Sequence, residues 1–122
     1  GSGEDMDKNI EYVGEIKYVP KFFEGIPAKD LKNLADDLKN QIGSGVVALV
    51  SNADDKASLV VGITEDLTER LNAIDLVRIG SVALGGKGGG GRPDMAQAGG
   101  PNGKDGYAAL NAIKAALSVG ID

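Results

Sequence analysis

From Ile10 onward apolar and polar residues alternate, with Ile10, Tyr12, Ile16 and Tyr18 on one side and Glu11, Glu15 and Lys17 on the other. That alternation predicts a strand with one buried face, closed or left extended at Pro20. The spacing then changes. Leu31, Leu34, Ala35, Leu38 and Ile42 recur at helical intervals, while Lys29, Lys32, Asp36, Lys39 and Asn40 fall on the opposite side. An amphipathic helix over 28–42 follows, with Pro27 suited to its first turn and Gly43 to its C-terminal stop.

Gly45–Val50 and Ser58–Ile63 are β-branched runs, apolar on both faces, separated by the polar stretch Asn52-Ala53-Asp54-Asp55-Lys56. This predicts an antiparallel hairpin of central strands covered by helices on at least one side. Thr64 then reads as an N-cap, with Glu65 and Asp66 near the positive end of a helix whose apolar side is Leu67, Leu71 and Ile74. A second helical piece, Asp75 to Ala83, directs Leu76, Ile79, Val82 and Ala83 inward and stops at Gly85-Gly86. After a glycine-rich stretch, Asp105 caps a final helix with Leu110, Ile113 and Leu117 in a stripe and Gly120 beyond.

The order β-α-β-β-α-glycine loop-α predicts an α/β (α+β) sandwich, a small mixed sheet with helices packed on it. It forms one domain over 10–122, with no internal repeat. Gly1-Ser2-Gly3 reads as a cloning remnant and Glu4 to Asn9 as a polar, frayed lead, so 1–9 is set apart from the domain.

Composition narrows the chemistry. A chain of 122 residues, 42% of them hydrophobic, is long enough for a single core. It has no apolar run long enough to span a membrane and no signal-peptide pattern, so a membrane partner is not expected. The absence of cysteine fits a cytoplasmic location. With neither His nor Cys, the chain cannot form a typical zinc site, a Ser-His-Asp triad or a Cys-His pair. Asp36-Asp37 and Asp54-Asp55 are the remaining carboxylate candidates for a metal, and adjacent side chains diverge on a helix or turn. No metal and no catalysis by the chain alone are therefore expected.

The net charge of −5 argues against a nucleic-acid partner until its distribution is considered. Residues 1–76 carry eight Lys/Arg against fifteen Asp/Glu, whereas 77–122 carry five (Arg78, Lys87, Arg92, Lys104, Lys114) against three (Asp94, Asp105, Asp122). The second part is locally positive, and steering depends on local field.

That positive part holds the most distinctive string in the chain, Gly85-Gly86-Lys87-Gly88-Gly89-Gly90-Gly91-Arg92-Pro93-Asp94-Met95-Ala96-Gln97-Ala98-Gly99-Gly100, in which eight of sixteen residues are glycine. Glycine lets a ligand approach the main chain, and consecutive N–H groups can form an anion-binding concavity to which Lys87 and Arg92 add charge. Two plainer readings stand beside this one: a flexible linker, or glycines such as Gly99 and Gly100 kept for close packing. A Walker A loop is excluded because Gly88, not Ser or Thr, follows Lys87. A dinucleotide-binding turn is excluded because these glycines do not occupy the first strand-to-helix turn.

The full string resembles, almost letter for letter, the C-terminal signature of bacterial alanyl-tRNA synthetases, the C-Ala domain of the DHH-associated family. Gly25-Ile26-Pro27-Ala28-Lys29-Asp30-Leu31 is similar to that family's entry to its first helix. Gly43–Leu49 and Leu59–Thr64 are similar to its paired strands, so the resemblance runs from about Ile10 to Leu117. One departure is a fourth glycine between Lys87 and Arg92 where the family form has three, which lengthens the segment by up to ~3.5 Å and bears on the aim of Arg92.

The resemblance implies a tRNA-handling module that docks at the elbow of tRNA(Ala) and helps link aminoacylation to editing. It implies that the upstream domains of the same enzyme are partners, and that ATP, Mg and Zn belong to those domains, leaving no cofactor here. The family's helical dimerisation segment is not seen ahead of the first strand, so a monomer is expected. Lys87 and Arg92 would contact phosphates, the N–H groups of Gly86 to Gly91 would meet phosphate or ribose oxygens, and Gln97 and Asp94 are candidates for ribose. Asp94 after Pro93 equally suits a turn. Tyr12 and Tyr18 read as core, and Phe22-Phe23 as either a staple on the first helix or an exposed contact. Two other function classes compete: the nucleotide-phosphate-binding domain of a DHH-type phosphoesterase, whose loop carries a His where Arg92 stands, and a dimerisation module without RNA contact.

Overall fold

A computed structural model describes residues 10–120; the expected cloning remnant and frayed lead at 1–9 lie outside the described residues. Six strands form one mixed sheet, β1 (Glu11–Val13), β2 (Ile16–Glu24), β3 (Val46–Ala53), β4 (Lys56–Ile63), β5 (Gly89–Arg92) and β6 (Met95–Gly100), in the spatial order β1-β2-β3-β4-β6-β5. Three helices cover it: α1 (Ala28–Ile42), α2 (Ala73–Ala83) and α3 (Gly106–Gly120). Strands β2 and β3 pair in parallel, joined by α1; every other neighbouring pair is antiparallel. The expected mixed sheet with helices packed on it is the observed architecture.

Helices lie on both faces because the central strands have no side to give to water. Val46 to Val50 are all fully buried. Successive side chains on a strand point to opposite faces, so such a run needs a cover on each. Val19, Val47, Leu49, Val60 and Met95 pack under α1 against Leu31, Ala35, Leu38 and Ile42. Tyr18, Val46, Ala48, Val50, Leu59, Val61 and Ile63 pack under α2 and α3 against Leu76, Val77, Leu110, Ile113 and Leu117. Helix α1 begins after Pro27 and ends at Gly43, whose positive φ of 75° glycine adopts without a Cβ penalty.

Several local expectations are corrected. The alternation from Ile10 is not one strand: it folds back at Gly14-Glu15, where Val13 pairs with Ile16. The reversal pairs Tyr12 with Lys17 and so puts it on the face opposite Ile16 and Tyr18, at 62% exposure, while Tyr18 is buried. The chain also continues as strand through Pro20 to Glu24.

The helix expected from Thr64 is a single 3-10 turn, Glu65–Leu67. Thr64 does not cap it; its hydroxyl accepts the Gly45 N–H at 2.9 Å. Helix α2 starts later, where Asn72 Oδ1 accepts the Ile74 N–H at 2.9 Å. Its inward side is only partly the expected one: Leu76 is buried and Ala83 packs on the core, while Ile79 and Val82 do not. Gly80 sits so close to the sheet that a Cβ there would stand 2.6 Å from Leu59 Cδ2 and 2.9 Å from Ile113 Cδ1. Small residues therefore face the core, and Ile79 and Val82 face outward, with Val82 at 74% exposure. Asp105 ends a 3-10 turn, Gly103–Asp105, that runs straight into α3.

Tyr18 ties the layers together: its hydroxyl donates to the Leu110 carbonyl at 2.7 Å, from β2 to α3. Burial, reinforced by the Glu11 carboxylate, pushes that hydroxyl well above the ordinary tyrosine range. Below pH ~10 the side chain is protonated both folded and unfolded; above it only the unfolded chain ionises, so stability falls by up to ~1.4 kcal/mol per pH unit. Tyr18→Phe is expected to cost about 1 kcal/mol at pH 7 and to flatten this alkaline loss. Urea titrations from pH 7 to 11.5 check both effects, and equal slopes in the two proteins would refute the ionisation argument.

Candidate functional site

The glycine-rich stretch is built into the sheet. Beyond α2, buried Leu84 and the turn at Gly85 send the chain back toward the sheet edge. Ser81 anchors the turn, its carbonyl accepting the Gly86 N–H at 2.8 Å and its hydroxyl the Gly88 N–H at 3.2 Å. The chain then runs outward as β5, reverses at Pro93-Asp94 and returns as β6 between β5 and β4. Gly89 faces Ala98, Gly90 faces Gln97, Gly91 faces Ala96 and Arg92 faces Met95. The expected loop is thus a hairpin with β5 as an edge strand. Two of the N–H groups assigned to a ligand by the sequence, those of Gly86 and Gly88, are engaged by Ser81. Along β5 alternate residues bond to β6, and the others turn their N–H and C=O outward.

The glycines separate into two kinds. A Cβ on Gly86 would run into the Gly99 carbonyl, and one on Gly100 into the Leu84 carbonyl. On Gly85 it would lie 2.6 Å from Asn102 Nδ2, on Gly89 2.6 Å from Ala98 Cβ, on Gly91 2.6 Å from the Met95 carbonyl oxygen, and on Gly99 2.9 Å from the Ala57 carbonyl oxygen. These six serve packing. Gly88 and Gly90 have nothing within 4 Å of that position. Gly88 has a backbone reason to be glycine, its φ of 138°; Gly90 has none.

The cations stand apart. Lys87 is exposed just ahead of β5, and Arg92 ends it with its side chain 69% exposed. The two flank an extended edge rather than a closed concavity. Asp94 at the turn is already engaged: its Oδ1 lies 3.4 Å from Arg92 Nε and its Oδ2 3.5 Å from Lys39 Nζ, which also donates to the Asp94 carbonyl at 3.2 Å. Asp94 therefore does turn-fixing work that the sequence left open against ribose binding. Gln97 is exposed on the α1 side of β6, where Lys32, Gly90, Gly91 and Gln97 surround a cleft of about 70 Å³ floored by Val60, Met95 and Ala96.

Sequence reasoning missed Lys32 and Lys39, which it assigned to the solvent side of α1. Their spacing of seven residues, which puts both on one flank of a helix, was the available signal. The aromatic residues contribute little beside the hairpin. Phe22 meets Tyr107 edge-on, with ring centroids 4.9 Å apart, and packs on the α3 side, while Phe23 packs under α1. No described helix is long and apolar enough to cross a membrane, and the described residues hold no cluster of three or more metal-ligating side chains.

The two kinds of glycine should respond differently to substitution. Gly90→Ala is expected to keep stability within about 0.5 kcal/mol of the parent, as an exposed position with open space does. Gly86→Ala, which drives a methyl into a carbonyl, should lose about 2 kcal/mol or more. Thermal melts of the two variants check this, and equal losses would refute the division.

A family model described as the DHHA1 domain matches residues 15–119. The alanine–tRNA ligase of Paramagnetospirillum magneticum is 64% identical over 105 residues, and that of Bradyrhizobium diazoefficiens 60% over 110. These matches cover 86% and 89% of this chain, which spans only 12% of the length of each ligase. Among solved structures, the C-Ala domain from Aquifex aeolicus alanyl-tRNA synthetase superposes with a TM-score of 0.84 at 34% identity, over 89% of this chain and 97% of that one. A DHH domain from a member of the s1p family of ribosomal proteins shares the fold alone, at 15% identity and a TM-score of 0.54, over 94% of this chain and 29% of that one. The chain therefore belongs to the DHHA1 domain family and is a domain of the C-Ala type.

Proposed function

We propose that this domain is the tRNA-binding C-terminal module of an alanine–tRNA ligase. It docks the elbow of tRNA(Ala) through the β5–β6 hairpin and so helps link aminoacylation to editing on one tRNA. The observation that carries this reading is Gly90: neither packing nor backbone conformation asks for glycine there, and a strand without side chains invites close approach by another molecule. Lys87 and Arg92 at the two ends of β5 supply charge where a sugar–phosphate backbone would pass. Contacts of this kind position an RNA without reading its bases, and structured RNA is read mainly by shape and 2′-hydroxyls. The elbow is such a shape.

In this reading the domain carries no catalytic step and holds no cofactor. ATP, Mg and Zn serve the upstream domains of the same enzyme, which are its other partners. The setting is the cytoplasm, and the isolated domain is a monomer.

Binding of tRNA(Ala) to the parent and to a Lys87→Ala/Arg92→Ala double variant, at 50 and 200 mM salt, tests the reading. The parent should bind with steep salt dependence. The double variant, folded by circular dichroism, should bind at least roughly tenfold more weakly, with a salt slope shallower by about two. Equal binding by both proteins would move the RNA to another face. Tighter binding of a mononucleotide than of tRNA would favour the phosphoesterase-type alternative.

A further inference from the structure

Helix α1 does not reach across the whole sheet. It lies mainly over β3 and β4, and its packed residues meet Val19, Val47, Leu49, Val60 and Met95. Beyond Met95 the same face of β6 and β5 is open, and Gly90, Arg92 and Gln97 are all exposed. The step between the helix flank and this shelf is the cleft of about 70 Å³ with Lys32 on the helix side and Gly90, Gly91 and Gln97 on the sheet side.

Resting on the tRNA-binding reading, we propose that this cleft seats one phosphate of the RNA backbone, with Lys32 as its cation and the side-chain-free surface of Gly90 as its sheet-side wall. The space is far below the 300 Å³ or so at which ligand sites begin to hold a whole small molecule. It suits a single phosphate group and excludes a base or a mononucleotide. Its wall chemistry fits an anion flanked by sugars, because Lys32 brings an ammonium and Gln97 an amide that can donate to phosphate or share hydrogen bonds with a ribose hydroxyl. Gly90 lets the phosphate lie against the main chain, which a Cβ pointing into the cleft would prevent.

The charges around the cleft are arranged for this. Lys39, two turns along α1 on the same flank as Lys32, is committed to Asp94 through both its side-chain and its backbone oxygens. That contact pins the hairpin tip to α1 and fixes the width of the cleft. Arg92 leans on the other Asp94 oxygen and continues the positive line toward the tip. Asp36, one turn beyond Lys32, is the opposing charge on this flank and limits the field to the Lys32 end. The backbone path so defined crosses the hairpin from α1 over Gly90 and does not depend on Lys87 alone.

Four proteins decide the matter, each checked for an unchanged melting temperature: the parent chain, Lys32→Ala, Gly90→Ala and a control Lys104→Ala on the 3-10 turn before α3. Each is titrated with tRNA(Ala) transcript at several salt concentrations. Lys32→Ala should weaken binding roughly fivefold and make the salt slope shallower by about one, the signature of a lost phosphate contact. Gly90→Ala should weaken binding with its salt slope unchanged, and Lys104→Ala should leave both as in the parent. If Lys32→Ala and Gly90→Ala bind as the parent does while Lys87→Ala/Arg92→Ala fails, the cleft proposal is overturned and the tRNA reading stands. A fall in affinity for Lys32→Ala without a change of salt slope would also overturn it, pointing to an indirect effect. If the parent itself does not bind tRNA at 50 mM salt, both fall together.

Discussion

The burial of β3 on both faces is the constraint on which this fold depends. A run of five consecutive fully buried apolar residues, Val46 to Val50, needs a cover above and below, and three helices supply it. One of them lies over β3 and β4 on one face, and two cover the other. The asymmetry has a direct result. On the two-helix face α2 extends out to β6 and β5, with Val77 beneath Gly89, while α3 covers β2 and β3; on the other face α1 alone does not reach β5. The hairpin is consequently packed on one face and bare on the opposite one, and the bare face borders the flank of α1.

Within that frame each glycine of the 85–100 stretch has its own explanation. Most are glycine because backbones cross there at distances no Cβ permits. Gly86, Gly99, Gly100 and the carbonyl of Leu84 meet at one crossing, which clamps the hairpin's base to the end of α2. The tip is clamped separately, through Lys39 and Asp94. A hairpin held at both ends presents its middle with little freedom to lose on meeting a ligand, and such preorganisation favours affinity. Arg92 stands opposite Met95, across the two-residue turn at Pro93-Asp94.

Helix α1, the β3–β4 hairpin and the stripe of α3 were legible in the sequence because their apolar periodicity is carried by large side chains. Leu31, Leu38, Val47, Leu59 and Ile113 all sit where their spacing puts them. The β5–β6 hairpin was not legible as strands. Glycine has almost no strand preference of its own, and what pairs β5 is its partner's register rather than its own pattern. Helix α2 misled for a related reason: Gly80 and Ser81 pack inward by being small, which a search for large apolar residues reads as a polar side. The candidate site was legible in its composition but not in its shape. The string around Lys87 and Arg92 marked the segment that forms the hairpin, while Lys32 belongs to a helix more than fifty residues earlier and joins it only through the fold.

An unguarded sheet edge is a hazard in its own right, because it can zip onto the same edge of a second copy. Strand β5 has no side chain over three successive positions to discourage this. Its protection is at its ends, a lysine before it and an arginine-proline pair after it, the residue types that natural sheets place on exposed edges. The two cations that would hold RNA in the proposed reading are thus also the ones that guard this edge against a second copy.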